Sequence, residues 1–334
     1  MIFAPQNIIQ PGPALTLIDL YKITLGKMGY APTALPPSLF FTFCGDLLGS
    51  SGEHYVKGGP VTFNTAVFKA SHTFSDDFME SLAMALMRDQ QFETDPASLM
   101  QVRDRFYDLL KGHFEAASLT YSPWFRPLFE SRTTDDFLKI IAGHASCGAA
   151  MRVGVLGATA TEIQRMEPLL LCSHAHAEAL EGAYLVYGFT RACAEGAGDF
   201  ATALRAGYEY AGQGWSMAEN FLHRHGLTPE GQRIQPLYEK VRLHEDPYAT
   251  IEDIAEEGIE TRFVVPAALW LVEQAAALPP PAGIAKIVEG ALEIGGDPDT
   301  ISSIAMGLYG QLAGAPAYAA LAAVQLPNPV RDDL

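Results

Sequence analysis

The stretch that decides the fold is Gly295-Gly296-Asp297-Pro298-Asp299-Thr300, which runs into Ile301–Leu326 without another charged residue. Ile301, Ile304, Ala305, Leu308 and Tyr309 recur at i, i+3, i+4, i+7 and i+8, the repeat of a helix with one apolar face. The run is long enough to cross a bilayer. It also carries Ser302, Ser303, Gln311, Pro316 and Gln325, an acidic motif abuts its start, and Gly307, Gly310 and Gly314 fall three or four residues apart. These features predict a buried, closely packed helix of a soluble domain, a break near Pro316 and a short second helix.

Outward from this segment the same periodicity returns. Met79, Leu82, Ala83, Leu86 and Met87 share one helical face, as do Ile284, Ile287, Val288, Ala291 and Leu292. The stretches 177–195, 200–211 and 264–277 read as Ala-rich helices, and few runs alternate with period two. The chain is therefore expected to be all-α, without internal repeats. Loops are expected near 50–62, 119–135, 142–158 and 224–250. The second of these carries Tyr121, Trp124, Phe125 and Phe129, whose ordinary role is local packing. Residues 1–37 hold six of the 22 prolines around one short helix between Leu15 and Met28, and read as an arm appended to a domain at 38–326, with a tail at 327–334.

Composition narrows the function. Of 334 residues, 49% are hydrophobic and 18% charged, so a sizeable core is expected. The formal charge of −17 argues against a nucleic-acid partner, whose phosphates need basic residues, and against an anionic membrane surface. The four cysteines, Cys44, Cys147, Cys172 and Cys193, form no CxxC pair, as expected for reduced thiols in a cytoplasmic protein. The first cation is Lys22, so no secretory signal is expected.

Two segments place oxygen ligands at a helix start: Thr73-Phe74-Ser75-Asp76-Asp77-Phe78 and Gly295-Gly296-Asp297-Pro298-Asp299-Thr300. Each alone is explained by helix capping. If the two loops meet, four carboxylates share a small volume, and like charges ~4 Å apart repel by about 4 kcal/mol at intermediate dielectric. Such a cluster must protonate or bind cations. Ligation by carboxylate and hydroxyl suits magnesium, manganese or calcium rather than zinc. Three further segments carry polar chemistry. Cys44-Gly45-Asp46-Leu47-Leu48-Gly49-Ser50-Ser51-Gly52-Glu53 is glycine-rich with an acidic end. Ser146-Cys147-Gly148-Ala149-Ala150-Met151-Arg152 lets backbone amides approach a phosphate. Ser173-His174-Ala175-His176 holds an HxH pair, a motif more often structural than metal-binding.

In this order, GDLLGSSGE, SDD, CGAAMRVGVLG, SHAH and GGDPDT resemble the ADP-ribosylglycohydrolase family over roughly residues 38–325. The resemblance implies a compact all-α domain with two magnesium or manganese ions in a cleft. It assigns the metal ligands to Ser75, Asp76, Asp77, Asp297, Asp299 and Thr300. Glu53 matches the family's acidic loop residue, which gates the cleft or assists catalysis. Ser146, Cys147 and Gly148 match the phosphate-contacting loop, and His174 the histidine lining the site; His176 has no such assignment. The implied reaction is removal of ADP-ribose from a modified protein side chain, with Glu53, Asp76 and Asp297 as the carboxylates at the chemistry. This chain departs from the family pattern at Ser75 and Phe78, where TDDT is usual, at Cys147, where asparagine is usual, and at Pro298. Two alternatives accompany that expectation. One is an immunity protein that blocks an ADP-ribosyltransferase through its N-terminal arm, and the other is an ADP-ribose sensor without turnover.

Overall fold

The computed structural model describes residues 16–50, 76–116, 121, 123–244, 246–254 and 258–324. Among these the protein is all-α, with fifteen α-helices, a 3-10 turn at Pro32–Ala34 and one isolated antiparallel bridge between Ser146 and Glu260. The helix from Pro298 to Ala322 packs along the Ser38–Ser50 helix, while the Ala177–Ala194 helix lies between the helices Gly148–Ala158 and Phe200–Arg224.

Small residues set these crossings. A Cβ on Gly45 would run into the backbone of Ser302 and Ser303, and one on Gly49 would lie 2.5 Å from the Asp299 Cα. The two glycines, one turn apart, let the Ser38–Ser50 helix press its backbone onto the start of the last helix. Asp46, between them, is carried to Asp299. The entry to that last helix is the tight turn that two glycines allow: Gly295 and Gly296 have φ of 74° and 72°.

The last helix breaks at Gly314 (φ 60°, ψ −139°), two residues ahead of Pro316, because the proline ring crowds the preceding turn. Its buried face includes Ile301, Ile304, Ala305, Leu308 and Tyr309. No helix among the described residues is long and apolar enough to cross a membrane.

Three loop expectations are corrected. Within 119–135, residues Phe125–Glu130 are helical; within 142–158, Gly148–Ala158 is a helix; and 224–250 contains the helices Ile234–Leu243 and Pro247–Ile254. The small residues that made 148–158 resemble a loop serve contact instead, since a Cβ on Gly157 would strike Thr190 and the Tyr187 carbonyl. The expected loop at 50–62 lies, beyond Ser50, outside the described residues, as does the tail at 327–334.

The N-terminal segment is described from residue 16 onward, and there it is part of the core. Thr16 and Asp19 form a reciprocal cap on the Leu17–Lys27 helix. Leu17, Leu20, Tyr21 and Leu25 are buried, and the Tyr21 ring sits 5.1–6.2 Å from those of Phe43, Phe40 and Phe78. Leu17 N–H donates to the Val324 carbonyl at 3.0 Å, joining the segment to the far end of the domain. The arm reading fails for this helix because four apolar side chains on one face have a core to enter.

Candidate metal centre

Four stretches of chain meet at one cleft. The first is the middle of the Ser38–Ser50 helix, which brings Asp46. The second is the first turn of the Asp76–Met87 helix, bringing Asp76, Asp77 and Glu80. The third is the entry to the Gly148–Ala158 helix, and the fourth the turn at 297–300. Oxygens of Asp46, Asp77 and Asp299 lie within 4.8 Å of one another, and all three residues are buried. Thr300 Oγ1 donates to Asp77 Oδ1 at 3.4 Å, and Phe78 N–H donates to Asp46 Oδ2 at 2.9 Å. Asp76, Asp297, Asp299 and Thr300 line the cleft together, although more than 200 residues of chain separate the two pairs. Asp297 sits at the N-cap of the last helix but makes no side-chain cap hydrogen bond; its Oδ2 instead accepts from Cys147 Sγ at 3.6 Å.

Ser146, Cys147, Gly148 and His174 also line the cleft, with Trp124 and Phe125. Phe125 also packs into the Phe114–Tyr121–Phe129 cluster, the local role expected of it, and Trp124 packs against Phe125 and His144. The 145–147 backbone is pinned by Cys147 N–H to the Ile259 carbonyl at 2.9 Å and Thr261 N–H to the Ala145 carbonyl at 2.8 Å. His176 faces elsewhere in role: its Nδ1 accepts from Glu178 N–H at 3.3 Å, capping the Ala177–Ala194 helix. Ser75 and Glu53 lie outside the described residues.

The electrostatics are those of a buried carboxylate cluster that could hold a cation. Burial, then the negative neighbours led by Glu80 and Asp299, pushes Asp76 well above the usual carboxylate range. Burial followed by Asp299 does the same to Asp77 and to Asp297. Two carboxylates 4.8 Å apart repel by about 3.5 kcal/mol at an effective dielectric of 20. Glu80 is pushed up to about 6 by burial, opposed by the fully buried Arg152, whose guanidinium pairs with it and also reaches Ser173. Arg152 thus offsets one carboxylate and leaves the aspartates clustered. The donors are hard oxygens, buried and mutually repelling, so the residues present fit a divalent cation such as magnesium or manganese. Cys147, pushed up by burial and by Asp297, remains a thiol at neutral pH.

Sequence reasoning missed three residues of this site. Asp46 had a signal, an aspartate flanked by glycines one turn apart, but its reach depends on a helix crossing. Glu80 lay on the expected helix without a partner to mark it. Arg152 closed a quoted motif without its buried role being visible.

The fold and the cleft define an all-α domain in which an aspartate cluster that could hold a cation adjoins a small-residue helix entry. The ADP-ribosylglycohydrolase family model matches residues 38–332, and the chain belongs to that family, which comprises hydrolases of ADP-ribose linkages acting as glycosidases. Comparison with curated proteins gives no match.

Proposed function

We propose that this protein is a metal-dependent hydrolase that removes ADP-ribose from a modified protein side chain. The observation that carries this reading is the meeting of Asp76 and Asp77 with Asp297, Asp299 and Thr300 beside the 146–148 wall. Ser75, Asp76, Asp77, Asp297, Asp299 and Thr300 would hold two magnesium or manganese ions, with Asp46 adding its carboxylate beside Asp77 and Asp299. Bound there, the ions would supply Lewis-acid polarisation and a water of lowered pKa.

The chain's own groups do the rest. The bond from C1″ of the distal ribose to the side-chain nitrogen or oxygen breaks, the oxygen of water bonds to C1″, and the leaving atom takes a proton. Surrounding carboxylates stabilise the positive charge that develops on the sugar. Glu53, or Asp76 or Asp297 when not engaged with an ion, moves the proton. The diphosphate rests at Ser146, Cys147 and Gly148, at the start of the Gly148–Ala158 helix, where the positive end of the helix dipole favours an anion. That placement lets a chain of charge −17 bind a negative ligand: the acidic residues hold the sugar end and backbone dipoles the phosphate end.

Asp76→Ala and Asp297→Ala are expected to keep the helical circular dichroism of the wild type and to lose release of ADP-ribose from an ADP-ribosylated protein substrate. EDTA should stop release and magnesium or manganese restore it. Wild-type rates with the metal chelated would refute the reading. The immunity reading rests on the segment at residues 1–37, of which Leu17, Leu20, Tyr21 and Leu25 are buried in this domain.

A further inference from the structure

Behind Ser146 the cleft wall contains a directed hydrogen-bond chain of Arg152, Ser173 and His174. Arg152 and His174 have no exposed surface, and Ser146 is 8% exposed at the cleft. Arg152 Nη2 lies 3.4 Å from His174 Nδ1, and a guanidinium only donates. The same Nη2 donates to Ser173 Oγ, which lies 2.9 Å from His174 Nδ1 and 3.4 Å from the Leu170 carbonyl, so the serine proton goes to the ring. Two donors therefore face Nδ1, which must be the bare nitrogen. Burial, then Arg152, holds the His174 imidazole well below its ordinary range, so the ring is neutral. A neutral ring accepting at Nδ1 carries its proton at Nε2. Nε2 lies 3.0 Å from Ser146 Oγ and donates to it. Ser146 then has its own hydroxyl proton left to give, and no described residue accepts it.

The ring is held at this orientation. A Cβ on Gly148 would sit 3.0 Å from His174 Cε1, so the ring packs on a bare glycine backbone. Trp124 meets it edge-on, with centroids 4.9 Å apart at 88°. The Ser146 carbonyl accepts from Thr261 Oγ1 at 2.9 Å, which fixes the serine's backbone.

We infer that Arg152 and Ser173, acting through His174, are positioning residues that make the Ser146 hydroxyl a donor to the cleft, poised for the phosphate oxygen that the function proposed above places there. The assignment of that oxygen to the diphosphate of ADP-ribose rests on the function proposed above; the polarity of the chain does not. A sugar hydroxyl could accept there only by giving its own proton elsewhere, whereas a phosphate oxygen needs no second partner.

Two measurements on the full-length protein test this. Two-bond proton–nitrogen correlations of the histidine rings, with His174 assigned from the His174→Gln spectrum, should show a protonated Nε2 and a bare Nδ1 at pH 7. A proton on Nδ1, or on both nitrogens, would overturn the relay whatever the ligand. Calorimetric titration with ADP-ribose in magnesium should show Ser146→Ala weakened about tenfold or more, as expected for loss of a hydrogen bond to a charged group. His174→Gln, whose amide can replace the Nε2 donor, should stay within about threefold of wild type, while His174→Asn should fall with Ser146→Ala. Equal losses in Gln and Asn, or no loss in Ser146→Ala, would overturn the proposal. Wild-type protein that does not bind ADP-ribose yet shows the Nε2 proton would refute the ligand reading and leave the relay standing.

Discussion

Substituting Asp46 by Asn tests whether the aspartate cluster is a cation site. Asp46 has no exposed surface, and its carboxylate shares a 4.8 Å neighbourhood with those of Asp77 and Asp299. Each ionised pair at that separation costs about 3.5 kcal/mol at an effective dielectric of 20. Asparagine keeps the shape and keeps an oxygen to accept from Phe78 N–H, but removes the charge. In EDTA the variant should therefore be at least as stable as wild type. Its gain is bounded by relief of one such pair, since the wild-type cluster partly protonates. A 334-residue chain has an unfolding entropy of about 0.7 kcal/mol/K at typical per-residue values, so each kcal/mol moves Tm by about 1.4 °C. The gain in EDTA thus falls between zero and about 5 °C. With magnesium at about 100 times Kd, wild type should gain about 2.7 kcal/mol, or about 4 °C. If the lost charge weakens binding tenfold, the same magnesium gives the variant only about 2 °C. Differential scanning calorimetry at pH 7.5, with EDTA and with magnesium or manganese, reads both shifts. A variant that melts several degrees below wild type in EDTA and keeps the full metal shift would show that Asp46 is a neutral hydrogen-bonding group, and the electrostatic reasoning would fail.

Other outcomes follow from the same geometry. Gly49→Ala should cost about 1–3 kcal/mol by forcing a methyl against Asp299, seen as a Tm loss of about 2–4 °C together with weaker metal binding; an unchanged metal shift would separate the helix crossing from the site. Tyr21→Ala should cost about 3–5 kcal/mol in urea unfolding, as for a large core aromatic, and a loss under about 1 kcal/mol would return residues 17–27 to the status of an arm. His174, whose folded value is depressed below its ordinary 6.5, leaves the unfolded state binding more protons at acid pH. Its share of stability is therefore full above about 6.5 and is lost as pH falls, by up to about 1.4 kcal/mol per pH unit. In EDTA, wild type should lose about 2 °C more Tm than His174→Gln over the whole range from about pH 7 to 5.5, and parallel curves would refute a neutral buried ring.

How much of this was legible in the sequence depended on whether a feature was local. Helical class was written in the spacing of Ile301, Ile304 and Leu308 and of Met79, Leu82 and Leu86, because an apolar stripe is a property of the helix itself. The 148–158 helix was not legible, since Gly148, Gly154 and Gly157 have poor helix propensity, and only packing on Ala177–Ala194 makes the segment helical. The helix expected at 200–211 runs on to Arg224 for a related reason: Gly214, which dilutes the pattern, is where Tyr184 and the Leu180 carbonyl come closest. At the site, Asp76, Asp77, Asp297 and Asp299 stood out as paired carboxylates in the order of a family motif. Glu80 and Arg152 did not, since a buried ion pair joining residues 72 apart leaves no pattern in either neighbourhood.

The same distinction settles the rival reading of the acidic segments as helix caps. A carboxylate that caps spends an oxygen on the free N–H groups of its own first turn. Asp297 stands at the N-cap of the last helix and makes no such bond. At the Asp76–Met87 helix, the Phe78 N–H is met from 32 residues away, by Asp46, and not by the aspartates of that turn. Thr300, in the first turn of the last helix, turns its hydroxyl to Asp77 across the cleft instead of to its own backbone. A fold that needed these aspartates only as caps would have no reason to import a fifth carboxylate into a crowded, buried volume to do the capping. Burying them beside one another raises the cost of each negative charge, and that cost falls when the cluster takes up protons or a cation.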